Sequence, residues 1–333
     1  MEKLLDAYKR ILQEVDAQSF NLNEDKYSGV FLPVPFEKYW HSPVKIMLVG
    51  RETAGWNTLN GKNTISRVLG LIPDVTIGQV VGEAVDRYRN HLPVQNDGTT
   101  NLKSRSRFTQ YHFRLARELN IPPQAIVYAN LLAWDYDGLA PLNRPQNEVQ
   151  EVILASLKLL AVQIKHLEPD FIIFASGARR TDYIIKQVLT ELGGYETSAV
   201  IPGKLWEFKT GNAICFRIAH PRAMRGHQKY RDEVIARIKQ LCTQGGWSIT
   251  ACSAAPFPEA YRKTGKAAWF SMLETTRSIR HCQAEDCSSS HPVSTGYAQD
   301  MNFRHKKTTR RWFHDTAYCF DYSCLSHGTR SGT

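Results

Sequence analysis

The stretch Val44-Lys45-Ile46-Met47-Leu48-Val49-Gly50-Arg51-Glu52-Thr53-Ala54-Gly55-Trp56 decides the fold. Its first half is a nearly continuous aliphatic run bounded by Pro43 and Gly50, the pattern of a strand buried on both faces of a parallel sheet. A polar, glycine-bearing turn follows at once. The same arrangement recurs three times: Ala125 to Ala129 before Asn130, Phe171 to Ala175 before Ser176-Gly177, and Ile214 to Ile218 before His220-Pro221-Arg222-Ala223-Met224. Ligands of open α/β sheets bind outside the carboxyl ends of the strands. Glu52, Asn130 and His220 are therefore expected to converge on one crevice.

Helical spacing links these strands. Leu4, Leu5, Tyr8, Ile11, Leu12 and Val15 predict an opening amphipathic helix, and Phe108, Tyr111, His112, Leu115, Ala116 and Leu119 a second that ends before Pro122. Further helices are expected over Val149 to Leu167, Asp182 to Leu192 and Tyr230 to Leu241. The alternation predicts an α/β fold of three layers, α/β/α, with a central four-stranded parallel sheet. A long insertion at about 57–104 carries one expected helix near Ile77 to Leu92, and its position directly after the first turn suggests a lid or a binding surface. Gly245-Gly246 marks the expected end of this domain, 1–246. Residues 247–333 are rich in Ser, Thr, His and basic side chains and read as a loosely ordered or separately folded extension. The extension holds Cys282, Cys287, Cys319 and Cys324 as two C-x4-C pairs. Without a glycine knuckle, and with little apolar sequence nearby, they read as part of an unstructured tail rather than as a zinc site.

Composition narrows the partners. The chain has 333 residues, 42% of them apolar, which suffices for a sizeable core, and its formal net charge of +10 favours a polyanionic partner. No run long enough to span a membrane is present, and Met1 to Asp6 lacks the apolar stretch of a secretion signal, so a soluble, cytoplasmic protein is expected. Seven cysteines fit a reducing compartment. Neither a dinucleotide-binding glycine loop nor a phosphate-cradling lysine loop follows the first strand.

Gly50-Arg51-Glu52-Thr53-Ala54, Asn130, Gly177 and His220-Pro221-Arg222-Ala223-Met224, in this order and at strand ends, resemble the motifs of the uracil-DNA glycosylase superfamily over about residues 44–240. The resemblance implies a monomeric, cofactor-free, monofunctional DNA glycosylase. Such an enzyme flips a pyrimidine out of DNA and hydrolyses its N-glycosidic bond. It needs a base pocket, an edge reader, a donor for the departing base and a carboxylate near the sugar. By resemblance Glu52 is that carboxylate, although an acidic residue after a strand also serves as a helix cap, and Asp135, in Trp134-Asp135-Tyr136-Asp137, is its rival. Asn130 would read the base edge, or else be a turn former. His220 would donate to the base oxygen, Phe108 would stack on the base or pack in the core, and Met224 would fill the vacated stack or be a core methionine. Arg222, Arg225, Lys229, Lys103, Arg105 and Arg107 are the expected phosphate contacts, with His227 and Arg231 grouped around Met224.

One departure bears on substrate. Where the uracil-specific branch closes its pocket with a tyrosine, this chain has Ala54 followed by Gly55. The opening admits a bulky C5-modified cytosine, such as the glucosylated hydroxymethylcytosine of phage DNA, which would mean antiviral defence. Uracil or a deaminated base, and so DNA repair, is the alternative, and a catalytically inactive DNA- or partner-binding member of the fold is a third. Iron-sulfur members need cysteines within this core, whereas the first cysteine here is Cys215.

Overall fold

The computed structural model describes residues 1–56, 65–95, 98–223 and 226–244. The four expected strands form at Ile46–Gly50 (β1), Ile126–Asn130 (β2), Phe171–Phe174 (β3) and Ala213–Ile218 (β6), all parallel and adjacent in the order β2-β1-β3-β6. The sheet is nevertheless not four-stranded or purely parallel. Glu196–Ile201 (β4) and Leu205–Thr210 (β5) extend it to six strands, with β5 antiparallel to β6 and β4 antiparallel to β5. Most of β4 is solvent-exposed and so carries no apolar period. β5 covers the edge of β6, and β4, joined to it through the Pro202-Gly203 turn, covers β5.

Alternate strand residues feed two cores, as a period of two requires. Met47, Val49, Val127, Ile172 and Phe174 face Gln146–Leu167 (α6) and Asp182–Glu191 (α7). Ile46, Leu48, Ile126, Phe171 and Ile173 face Arg107–Glu118 (α5) and Gln228–Gln244 (α8). The helices thus cover both faces of the sheet.

The short helix Glu37–Trp40 (α2) precedes β1, and a third core joins the opening helix Glu2–Gln13 (α1) to the insertion helices Ile65–Val68 (α3) and Ile77–Arg89 (α4). A reciprocal cap starts α4: the Thr76 hydroxyl accepts from Gln79 N at 3.2 Å, and the Gln79 side chain accepts from Thr76 N at 2.7 Å. Val80, Val81, Ala84, Val85 and Tyr88 of α4 are buried with Leu4, Tyr8 and Leu12 of α1. The described part of the insertion is therefore packed core rather than a detached lid. It also protects a sheet edge, because the Tyr88 hydroxyl accepts from the Tyr128 amide of β2 at 3.0 Å.

Among the described residues no helix is long and apolar enough to cross a membrane. The C-terminal cysteine pairs lie outside the described residues.

Three histidines are held neutral by burial. His91, His112 and His220 are each pushed down to about 4, below the value of roughly 6.5 in an unfolded chain. Between these values the unfolded chain binds more protons, so stability is expected to fall as pH drops from about 6.5 towards 4. Urea midpoints measured across this range should decline, and less steeply in His112→Gln.

Candidate active site

Strand register brings the expected residues level. Gly50 pairs with Asn130, Val49 with Phe174, and Phe174 with Arg217. Backbone pairing runs past the strand ends, with Leu131 N donating to Gly50 O at 2.9 Å, Ala175 N to Val49 O at 2.8 Å and Gly177 N to Ile218 O at 3.0 Å. The turns after β1, β2, β3 and β6 thus open on one side.

Asn130 ends β2, only 5% exposed, and neither its amide oxygen nor its amide nitrogen has an aligned hydrogen-bond partner. The Tyr128 hydroxyl lies beside it, and burial raises the Tyr128 pKa. Gly50 makes the position possible: a Cβ there would come within 2.4 Å of Asn130 Oδ1 and 3.2 Å of Phe108 Cε2. Phe108, in the first turn of α5, has its ring 4.8 Å from that of Tyr128 and 6.3 Å from that of His220. Gly50, Asn130, Phe108, Tyr128 and His220 therefore form one continuous surface.

His220 has a defined tautomer. Its Nδ1 accepts from Arg222 N at 3.1 Å, so in the neutral ring the proton sits on Nε2. Burial first, then the charges of Arg51, Arg222 and Arg231, hold the imidazole neutral. The result is an uncharged N–H donor at the sheet end.

Asp135 is buried, and its carboxylate is committed to the backbone. One oxygen accepts from the Thr53 hydroxyl, from Gly55 N at 3.0 Å and from Trp56 N at 3.3 Å, and the other from Gly138 N at 3.0 Å. Trp56 is fixed further, with Phe31 4.7 Å from its ring and the Arg87 guanidinium 4.7 Å over it. Asp135 is thereby a clamp on the turn that presents Glu52. Asp135→Ala is expected to lower unfolding stability by about 2–4 kcal/mol, since several donors lose a charged acceptor together. Urea denaturation measures this; a variant of parental stability that releases no base would instead make Asp135 the general base.

On this clamped turn Gly55 adopts φ +79°, Ala54 is exposed, and Glu52 is partly buried. The Glu52 side chain is 13% exposed, that of Arg51 41%. Arg51 Nη2 donates to Glu52 Oε1 at 2.7 Å, and its Nε donates to Oε2. Residues 54–56 form bends and a turn, and the Glu52 carboxylate is paired to Arg51. Half-exposed ion pairs contribute about 0–1 kcal/mol, so this contact is easily exchanged.

The basic residues divide. Lys103, Arg105, Arg107, Arg222 and Lys229 are exposed, the last lying 5.0 Å over the Tyr230 ring. Arg231 is not: it is buried, donating to Ala223 O at 3.2 Å and to Gln228 Oε1, and it braces the loop after β6 instead of facing solvent. Met224 and Arg225 lie outside the described residues. Sequence reasoning gave no role to Arg51, to Tyr128, or to the exposed pair Arg179 and Arg180 in the turn after β3. Tyr128 was within reach of that reasoning, because residues i and i+2 of a strand share a face. No protein-family model matches the chain, and no curated protein matches it either.

Proposed function

We propose that this protein is a monofunctional DNA glycosylase acting on a modified pyrimidine. The buried amide of Asn130, held over Gly50 beside the Phe108 ring and next to the Tyr128 hydroxyl, carries the reading. A buried donor and acceptor that make no aligned hydrogen bond fit a ligand edge that offers both, and a flipped base has such an edge and a face for Phe108.

The remaining groups fit hydrolysis. Water held at Glu52 bonds to C1′ of the deoxyribose as the C1′–N bond breaks, and the electron pair of that bond leaves with the base. The water proton passes to the Glu52 carboxylate, and the Nε2–H of His220 donates to the base oxygen where negative charge collects. The base anion then takes a proton from solvent. No lysine stands at a motif position to form a Schiff base with the sugar, so an intact abasic site is the product. The exposed Ala54 favours a bulky C5-modified cytosine, such as the glucosylated base of phage DNA, and with it a role in antiviral defence.

The direct test offers otherwise identical DNA carrying uracil or glucosylated hydroxymethylcytosine and measures free base and alkali-labile sites. Release of the enlarged base is expected. Release of uracil alone would make the enzyme one of repair, and release of neither would leave a binding protein. Neutralising Arg105, Arg107 or Arg222 singly is expected to weaken DNA binding across all sequences and to reduce the log–log salt slope by about one per phosphate contact. A salt-independent affinity would rule out the basic rim as the DNA contact.

A further inference from the structure

We propose that Arg51 is a phosphate-operated latch on Glu52, an inference that rests on the glycosylase reading. In the free protein the guanidinium engages both oxygens of the Glu52 carboxylate. A carboxylate neutralised in this way offers little field to a cationic sugar and a poor seat for the attacking water. The pair is also lopsided. Arg51 is three times as exposed as Glu52, 41% against 13%, so the cation reaches solvent while the carboxylate is largely covered.

Arg51 is also close enough to His220 for its charge to lower that imidazole's proton affinity, so it acts on both groups assigned to hydrolysis. Its planar fork, which now holds a carboxylate at two points, suits a phosphodiester equally well. A DNA strand seated on the rim brings a phosphate to Arg51 and draws the guanidinium off Glu52. The carboxylate is then uncovered beside the flipped nucleotide. His220 stays neutral throughout, because burial is the main cause of its depressed pKa. The latch makes base release conditional on a docked strand and leaves free nucleosides intact.

The test uses the full-length protein and DNA strands carrying the target base, each with one uncharged methylphosphonate in place of a phosphate near that base. At one position the substitution is expected to lower the parent's single-turnover rate on the order of tenfold, because a neutral linkage cannot draw the guanidinium away. In Arg51→Gln the same linkage should change the rate by less than about twofold, there being no latch to open. Arg51→Lys, which keeps the charge but not the fork, should fall between them. Thermal melting shows that each variant is folded. A parent insensitive at every position, or an Arg51→Gln protein as sensitive as the parent, overturns the latch while leaving the glycosylase reading intact. Absence of base release from every strand with the parent overturns both.

Discussion

Glu52→Gln is expected to slow single-turnover base release by about 10²–10⁴-fold, and His220→Ala by about 10²–10³-fold. Neither should cost much DNA affinity. In the proposed mechanism both side chains act on charge that exists only in the transition state: positive on the sugar near Glu52, negative on the base oxygen near the His220 Nε2–H. Binding should even tighten slightly in Glu52→Gln, since a negative charge is removed beside the cationic Arg51. Rapid-quench assays paired with equilibrium binding separate the two effects. Parallel losses in rate and affinity would give both residues structural roles. Retention of rate in Glu52→Gln would move the carboxylate function elsewhere, with Asp135 the first candidate despite its commitment to the Thr53–Trp56 turn.

The second large effect concerns pocket size. Ala54 is exposed on a turn held at Thr53, Gly55 and Trp56 by one buried carboxylate, so a larger side chain there leaves the fold undisturbed. An exposed substitution of this kind changes stability by about 0.5 kcal/mol or less. Ala54→Tyr should nevertheless lower excision of a glucosylated cytosine by at least about 100-fold, because its ring occupies volume that the attached sugar needs, whereas a single methylene in a loose pocket is worth only about 1–3 kcal/mol. Release of a small base such as uracil should suffer far less. Free-base assays on matched DNA with parent and variant make the comparison, and equal effects on both bases would place Ala54 away from the pocket wall.

The amino-acid sequence by itself determined the parallel block of the sheet and the side on which the site opens. Val44 to Val49, Phe171 to Ala175 and their counterparts are buried on both faces, so each strand declares itself as an unbroken apolar run without help from distant residues. The polar residues at their ends, Glu52, Asn130 and His220, were legible for the same reason. Tertiary structure alone decided the rest. The hairpin Glu196–Ile201 with Leu205–Thr210 was hidden because its outer strand is exposed and is ordered by pairing with β5, which in turn pairs along β6. The role of Asp135 depends on amides some eighty residues away, and that of Arg231 on a carbonyl in the preceding loop. Even the proton on His220 Nε2 follows from one backbone contact with Arg222. Local burial leaves its mark in the composition of a segment, whereas a hydrogen bond between distant segments exists only once the chain has folded to bring them together.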